Sequence, residues 1–187
     1  KVKTNIVINK IDLDNEKEIQ NWIDLYRNIG YDVFPTNGLT GEGVSELKKN
    51  LFGKTSVFWG QSGVGKSTLL NQILPALNLK TNKISDWSSK GKHTTVTSLM
   101  IKLDDSTFVV DTPGIREIEP FGIRKEDLGH YFVEFENYLY DCKFNTCTHQ
   151  HEPGCAVTEN LGENISPERY QSYLNMLETI EDDIFFE

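Results

Sequence analysis

Residues 60–67 have the sequence GQSGVGKS, which fits the pattern G-x-x-x-x-G-K-[ST] at every fixed position. Glycines at these positions let backbone N–H groups converge on phosphate oxygens without clashes from Cβ atoms. The Lys66 ammonium would reach the β- and γ-phosphates of a nucleotide, and the Ser67 hydroxyl would be a ligand of Mg²⁺. The candidate phosphate-binding residues are Gly60, Gln61, Ser62, Gly63, Val64, Gly65, Lys66, Ser67 and Thr68.

A second motif, Asn9-Lys10-x-Asp12, precedes this phosphate loop in the chain. The Asp12 carboxylate could accept hydrogen bonds from both N1–H and the N2 amine of guanine. Adenine does not offer these donors in that arrangement, and a site built for them rejects it strongly. Asn9 and Lys10 would orient the loop and cover the base. The motif therefore predicts a guanine-nucleotide site in which Asp12 sets specificity, although the motif alone could also be a solvated loop.

Two shorter patterns would complete such a site. Asp111 and Gly114 form a D-x-x-G pattern, in which Asp111 would hold the Mg²⁺ shell and the Gly114 N–H would sense a γ-phosphate. An ordinary Asp-x-Pro-Gly turn is the alternative. Thr36 and Asn37 follow a predicted strand, where a second guanine-contacting loop belongs. Thr-Asn-Gly is also an ordinary turn sequence.

Parallel strands can position all of these loops, because their C-terminal ends meet at one edge of a sheet whatever the order of the strands in the chain. The predicted strands are residues 4–9, 31–34, 55–59 and 106–110, and residues 67–74 form a predicted helix that Pro75 ends. The base motif comes before the phosphate loop, which is the reverse of the usual order. The sequence therefore predicts an α/β, P-loop GTPase fold that is circularly permuted, with a mostly parallel sheet and helices on both faces.

All three cysteines lie in one segment with the spacing Cys142-x4-Cys147-x-His149-x5-Cys155. Three thiolates and one imidazole make a closed, tetrahedral, structural zinc site with no open position for catalysis. His151 is an alternative ligand to His149. The odd number of cysteines argues against a disulfide framework, and three free thiols in a reducing compartment are the other interpretation.

Together, the motifs at residues 9–12, 60–67, 91–95 and 111–114 and the Cys/His segment resemble ribosome small-subunit-dependent GTPase A (RsgA), a bacterial family of circularly permuted GTPases. The resemblance implies a GTP hydrolase that is a late assembly or maturation factor of the small ribosomal subunit. It implies that nucleotide state is coupled to binding and release. The implied partners are GTP or GDP, the small subunit and its ribosomal RNA. The implied cofactors are one structural zinc ion and magnesium with the nucleotide.

The resemblance also implies catalytic roles. Ile115 follows Gly114 and cannot orient water as the glutamine of many GTPases does, so the catalytic group implied is His93 of the Gly-x-His-Thr-Thr run. Thr95 maps to the switch threonine that binds Mg²⁺, with Thr94 as the alternative. The other interpretation of His93 is a polar residue in a basic loop. The implied catalytic set is His93, Lys66 and Thr95, and the magnesium set is Ser67, Thr95 and Asp111. Slow hydrolysis that a partner stimulates is expected.

We expect a GTPase domain at residues 1–119 and a zinc-binding helical domain at residues 120–187. Family members usually begin with an RNA-binding OB-fold domain, which we expect to be absent from this chain. In the second domain, aromatic residues at 126–140 have helical spacing, and Ser166-Pro167-Glu168 predicts a helix start. The stripe that would pack this helix onto its domain is Tyr170, Tyr173, Leu174, Leu177 and Ile180.

The chain has 187 residues and a formal net charge of −9, which argues against strong nucleic-acid binding by the chain as a whole. Local cations could contact ribosomal RNA or line a solvated loop; they are Lys83, Lys90, Lys92 and Arg124. No long apolar run or signal peptide is visible, so we expect a cytoplasmic monomer without a membrane partner. Two alternatives stay open: a GTP/GDP-sensing switch with little hydrolysis, and a zinc-stapled RNA or protein adaptor.

Overall fold

The computed structural model describes residues 2–61, 63–75, 99–111 and 122–180. The chain divides into two compact units, Lys1–Glu117 and Ile118–Glu187, which we call the large unit and the small unit. The domain limits expected from the sequence, 1–119 and 120–187, stay predictions. Each unit has an apolar core of its own, and each is described by itself below.

The large unit is built from strands and helices that alternate along most of its length. Its elements are β1 (Asn5–Asn9), α1 (Glu16–Asn28), β2 (Asp32–Thr36), α2 (Val44–Leu51), β3 (Thr55–Phe58), α3 (Lys66–Ile73), β4 (Leu99–Lys102) and β5 (Phe108–Asp111). Strand β1 pairs in parallel with β2, and β3 pairs in parallel with β5, whereas β4 is antiparallel to β5. Most of the strand pairing among the described residues is therefore parallel, as the sequence predicted.

The core of the large unit lies between the strands and the helices α2 and α3. Its buried residues are Phe34, Val44, Leu47, Leu51, Phe58, Leu69, Leu70, Ile73 and Val109. The predicted strand at 55–59 and helix at 67–74 are confirmed to within one residue at each end. Helices α1 and α2 and strand β4 were not predicted. Helix α1 begins with a capping bond, in which the Asn15 side chain accepts from the Glu18 N–H at 2.9 Å.

The small unit is helical, but its first half consists of short 3-10 helices at Lys125–Tyr131, Val133–Phe135 and Leu139–Asp141. The helical spacing at residues 126–140 is thus broken, because Phe132 adopts an extended conformation between the first two segments. This break lets Phe132 and Phe135 stack at 5.3 Å in the core, while Tyr131 and Tyr140 stay exposed. Only some of the aromatic residues in this segment therefore belong to the core.

Helices α4 (Ala156–Glu159) and α5 (Pro167–Glu178) complete the small unit. The predicted start of α5 is confirmed: the Ser166 hydroxyl accepts from the Arg169 N–H at 3.3 Å, and a proline occupies the first turn. The predicted stripe packs on the core, with Tyr173, Leu177 and Ile180 fully covered. No helix in the part of the chain that the structure describes is long and apolar enough to cross a membrane.

Candidate functional site

The phosphate loop connects β3 to α3, as its pattern predicts. Gly63 and Gly65 have φ angles of +84° and +97°, in the left-handed region that favours glycine, and Gly65 is the N-cap of α3. The Lys66 ammonium donates to the carbonyl of Gly60 and, at 2.9 Å, to that of Gln61. Lys66 therefore lies folded against its own loop, and Ser67 and Thr68 occupy the first turn of the helix.

Asn9 joins the base motif to the phosphate loop. Its Nδ2 donates to the Val64 carbonyl at 2.8 Å, and its Oδ1 accepts from the Gly38 N–H at 3.0 Å and from the Thr36 hydroxyl at 3.2 Å. The contact is close: a Cβ atom on Gly65 would lie 2.3 Å from Asn9 Nδ2. The absence of a side chain at Gly65 therefore permits the connection between three loops that are distant in sequence.

Lys10 makes a second connection between the same loops. Its φ angle is +64°, which non-glycine residues rarely adopt, and its ammonium donates to the Gly63 carbonyl at 2.7 Å. Backbone strain of this kind persists only where the surrounding structure holds it, and it is concentrated at functional sites. The Lys10 stem therefore extends from the base motif to the glycine-rich segment of the phosphate loop.

Asp12 is exposed, whereas Asn37, which contacts it, is only 3% exposed. Asn37 Nδ2 donates to Asp12 Oδ1 at 2.9 Å. Thr36, at the end of β2, is fully buried, and its hydroxyl also lies 3.5 Å from the Ile8 carbonyl. The two loops predicted to contact guanine thus meet at the C-terminal ends of the adjacent strands β1 and β2.

A cleft of about 1010 Å³ lies between β1 and β3. Asn9, Lys10, Gly63 and Lys66 line its loop end, while most of the remaining lining belongs to strands β1 and β3 and helix α2. The cleft thus extends well past the loops into the body of the unit. The base motif and the phosphate loop border one continuous space.

The remaining predicted residues are described by their backbone alone or lie outside the described part of the chain. The backbone of Asp111 ends β5 and is in register with Phe58, the last residue of β3, so it lies beside the start of the phosphate loop. Other predicted residues lie outside the described part of the chain: Ser62, His93, Thr94, Thr95, Gly114, Ile115, Lys83, Lys90 and Lys92. Their predicted roles stay predictions.

The small unit contains a second candidate site, in which four buried side chains converge. The ligand atoms of Cys142, Cys147, His149 and Cys155 all lie within 4.8 Å of one another. Cys142 Sγ is 3.6 Å from His149 Nδ1 and 4.0 Å from Cys155 Sγ, and His149 Nδ1 is 3.4 Å from Cys155 Sγ. A tetrahedral zinc ion with ordinary bond lengths would give edges of roughly 3.6–3.8 Å, so the donor set fits zinc.

His149, and not the exposed His151, belongs to this cluster. Burial lowers the pKa of His149, which favours the neutral imidazole that binds metals. Burial also raises the pKa of the Cys147 thiol to about 12, so without a cation this thiol stays protonated. Metal binding at this site would therefore release protons, since the thiolate is the ligand form.

The sequence analysis did not anticipate the residues that hold the loop at 148–152, which we call the metal loop because it carries His149. His149 has a φ angle of +56°, and the Tyr170 hydroxyl donates to its carbonyl at 2.6 Å. The Tyr173 hydroxyl donates to the Thr148 carbonyl at 2.7 Å. A Cβ atom on Gly129 would lie 2.8 Å from His149 Nε2, so a larger residue there would displace the ring. The two tyrosines were predicted only as packing residues.

Glu152 organises the same loop from within. Its carboxylate accepts from the N–H and the hydroxyl of Thr148 and from the N–H groups of Gln150 and His151, at 2.6–3.1 Å. Burial raises the pKa of Glu152, but these hydrogen bonds together outweigh that effect and lower it to about 2. The only hint in the sequence is a Glu four residues after a Thr, which is too common to be informative alone.

In the large unit, the base motif precedes the phosphate loop in the chain and is hydrogen-bonded to it in space. Such an arrangement on mostly parallel strands defines a circularly permuted P-loop nucleotide-binding fold, here followed by a helical unit with a Cys/His cluster. A family model described as RsgA GTPase matches residues 1–121. The chain belongs to the RsgA GTPase family.

Curated relatives extend the match across the chain. A protein of Bacteroides thetaiotaomicron named small ribosomal subunit biogenesis GTPase RsgA 2 is 47% identical over 186 residues, which cover 97% of this chain and 60% of that protein. The corresponding protein of Caldanaerobacter subterraneus subsp. tengcongensis is 43% identical over 183 residues, covering 97% and 62%. The chain thus spans about 60% of the length of these relatives.

Solved structures show the same fold. The crystal structure of YjeQ from Thermotoga maritima matches with a TM-score of 0.76 at 38% identity, covering 94% of this chain and 59% of that chain. The structure titled YloQ, a circularly permuted GTPase, matches with a TM-score of 0.70 at 33% identity, covering 93% and 55%. The circularly permuted fold predicted from the motif order is therefore confirmed.

Proposed function

We propose that this chain is the nucleotide-hydrolysing part of a GTPase that acts in maturation of the small ribosomal subunit. The observation that carries the proposal is the direct hydrogen bonding of the base motif to the phosphate loop, through Asn9 to Val64 and Lys10 to Gly63. A guanine base on one loop and phosphates on the other would then belong to one ligand. The names of the relatives supply the biological context.

In the proposed site, Asp12 reads guanine and Thr36 and Asn37 belong to the second base loop. The phosphate loop, residues 60–68, holds the phosphates, and Lys66 would leave its intraloop carbonyls to pair with them. Magnesium supplies positive charge to the phosphates when it is bound, with Ser67, Asp111 and Thr95 as its proposed residues. We propose His93 as the group that acts on the attacking water, and Gly114 as the sensor of the γ-phosphate.

The proposed metal of the small unit is one zinc ion on Cys142, Cys147, His149 and Cys155. A closed set of four protein ligands leaves no position for a substrate, so the role of the ion is structural. The cysteines are themselves part of the apolar core of this unit, so the ion would hold the core together.

The proposed partners are GTP or GDP and the small ribosomal subunit with its ribosomal RNA, and the proposed location is the cytoplasm, with the protein a monomer. Nucleotide state would control binding to and release from the subunit. Arg124, one of the predicted RNA-contacting cations, is paired with Glu126 and Asp127 at 3.3 and 2.8 Å. These ion pairs are exposed and therefore weak, so the contact of Arg124 with RNA stays a prediction.

The experiment that tests this function has two stages. Equilibrium binding of GDP, GTP and ADP to the chain comes first, and we expect GDP and GTP to bind with a clear preference over ADP. Hydrolysis of GTP is then measured alone, with purified small subunits and with large subunits as the matched control. We expect slow turnover that small subunits alone stimulate.

The outcomes separate the possibilities. Equal binding of ADP and GDP would overturn the nucleotide assignment. Tight GDP binding with no hydrolysis under any condition would favour the nucleotide-sensing switch over the enzyme. Equal stimulation by both subunits would contradict the proposed partner.

A further inference from the structure

Asn37 is followed by Gly38, and this is the single Asn–Gly pair in the sequence. Asparagine is one of the chemically labile residues of proteins, and it can lose the amide of its side chain. The reaction is an attack by the main-chain nitrogen of the next residue on the carboxamide carbon, and glycine has no side chain to hinder that attack. The loop after β2 therefore contains a peptide of high intrinsic lability.

The reaction needs no reagent other than water. The Gly38 nitrogen forms a bond to Asn37 Cγ, and the bond from Cγ to Nδ2 breaks. Nδ2 leaves as ammonia and takes the proton that the Gly38 nitrogen gives up, so the first product is a cyclic imide. Water then opens the ring at one of its two carbonyl carbons. The residue becomes either aspartate or isoaspartate, in which the main chain runs through the side-chain carbon.

The folded turn holds the nucleophilic nitrogen in place. The Gly38 N–H donates to Asn9 Oδ1 at 3.0 Å, so the proton that the reaction must remove is engaged in a hydrogen bond. The Asn37 N–H donates to the Glu42 carbonyl, and the Gly41 N–H donates to the Asn37 carbonyl, both at 2.9 Å. Asn37 is only 3% exposed and Gly38 is buried, so water has little access to the reacting atoms.

Both ends of the Asn37 carboxamide are also bound. Its Oδ1 accepts from the backbone N–H groups of Leu39 and Thr40 at 2.9 and 3.1 Å. Its Nδ2 donates to Asp12 Oδ1 at 2.9 Å. Closing the imide ring draws the carboxamide towards the main chain and expels Nδ2, so the reaction must give up these bonds.

We infer that Asn37–Gly38 is a self-modification site, which the folded turn at 37–42 protects and which deamidates when that turn opens. The rate then follows the fraction of molecules with an open turn, because the chemistry is slow relative to opening and closing. A carboxylate at position 37 would face Asp12, and isoaspartate would lengthen the main chain of the turn. Either product should weaken nucleotide binding; this consequence rests on the proposed function, whereas the modification itself does not.

The first test compares the full chain, supplied with zinc, with a synthetic peptide of residues 31–44 that contains the same Asn–Gly pair without the fold. Both are incubated in mildly alkaline buffer, and mass spectrometry of proteolytic fragments measures conversion of Asn37 to aspartate and isoaspartate. Asn28, which is followed by Ile29 and lies in the same tryptic fragment, is the internal control.

We expect the folded chain to convert at least about tenfold more slowly than the peptide, and the denatured chain to convert as fast as the peptide. Equal rates for the folded chain and the peptide would overturn the protection by the turn. A peptide that converts no faster at Asn37 than the chain does at Asn28 would overturn the modification site itself.

A pair of variants tests the contact with Asn9. Asn9→Ala removes the acceptor of the Gly38 N–H and should speed conversion about fivefold, the factor expected for one lost hydrogen bond. Lys10→Ala is the matched control, because it removes the other bond to the phosphate loop, to Gly63 at 2.7 Å, without touching Gly38. Equal acceleration by both variants would overturn the role of Asn9. If Asn9→Ala does not fold, hydrogen exchange of the Gly38 N–H in the unmodified chain decides, and exchange as fast as in the peptide would overturn that role.

The link to the nucleotide site is tested on the converted chain, which ion exchange separates because it carries one more negative charge. We expect its affinity for GDP to be lower by roughly tenfold or more, because the new carboxylate faces Asp12 or the turn is lengthened. Unchanged affinity would overturn this consequence. Failure of the proposed function appears separately, as absence of a preference for GDP over ADP in the unconverted chain, and it leaves the comparison with the peptide unaffected.

Discussion

The two candidate sites are held together in different ways. In the large unit, exposed side chains such as Lys10 and Asp12 are each fixed by one side-chain hydrogen bond between loops. In the small unit, all four donors are buried, and His149 is only 3% exposed. A site that must admit and release a ligand is built on surface loops, whereas a structural metal site is closed within a core.

The largest expected effect is the unfolding of the small unit, and not of the large unit, when zinc is removed. Chelation of zinc should unfold the small unit, because structural zinc supplies on the order of 10–16 kcal/mol of apparent binding free energy in small modules. The large unit should keep its fold and its affinity for GDP, since its core contains none of the four ligands. Amide hydrogen exchange with and without a zinc chelator measures the folding of both units, and GDP titration under the same two conditions measures the affinity. Protection of residues 122–180 that survives complete metal removal would contradict the prediction.

Arg169→Ala should destabilise the small unit by about 3–5 kcal/mol, because it leaves the carboxylate of Glu134 buried without its partner. The pair is 2.6 Å apart, with side chains only 17% and 2% exposed, and the Arg169 guanidinium also stacks over Phe132 at 4.9 Å. Denaturant unfolding followed by circular dichroism measures the loss. Arg124→Ala is the matched control, because its ion pairs are exposed and should leave unfolding unchanged. Equal effects of the two variants would contradict burial as the cause.

Gly65→Ala should weaken GDP binding by about 1–3 kcal/mol, because the added methyl group would meet Asn9 Nδ2 and break the bond to Val64. Gly63→Ala is a sharp control: its φ angle is also positive, but a Cβ atom there meets nothing within 4 Å. Both variants carry backbone strain and add a methyl group to the phosphate loop, so a larger loss of GDP affinity for Gly65→Ala than for Gly63→Ala supports the contact with Asn9. Identical affinities would show that Asn9 does not connect the two loops in solution.

The smallest expected effect concerns pH. The pKa of Glu152 is lowered from 4.5 to about 2, so its ionised form stabilises the folded state. That stabilisation is complete above about pH 4.5, where the unfolded chain is also ionised, and is lost as the pH falls towards 2. Glu152→Gln should therefore be less stable than the unmodified chain at pH 6, and the difference should shrink below pH 4.5. Unfolding free energies of both proteins are measured at each pH with zinc in excess, and only pH values at which both proteins retain zinc are compared. A difference that is constant with pH over that range would refute the assignment.

Local patterns predicted part of each unit correctly. The phosphate loop has a pattern in which each fixed residue serves the backbone geometry, so its strand and helix were located to within a residue. The cap at Ser166 is equally local and was confirmed. Helix α1 carried a similar signal, with Asn15 as its cap and Glu18 three residues later, which the sequence analysis did not use.

Other features could not be predicted, because they depend on residues distant in the chain. The segment at 126–140 has helical spacing, but packing of Phe132 and Phe135 around Tyr173 favours short 3-10 turns over one continuous helix. The choice of His149 over His151 depends on the loop conformation that Tyr170 holds. The spacing of the Cys and His residues alone allowed either histidine as the fourth ligand.

The amino-acid sequence by itself determined the chemistry available to this protein: a phosphate loop, a guanine motif ahead of it, and one set of thiols and imidazole. These follow from residue type and short spacing, which act within a few residues of the chain. Only the tertiary structure decided which groups meet. Asn37 reaches Asp12 across 25 residues because β1 and β2 pair in parallel, and Asn9 reaches Val64 across 55 residues because Gly65 has no side chain in the way.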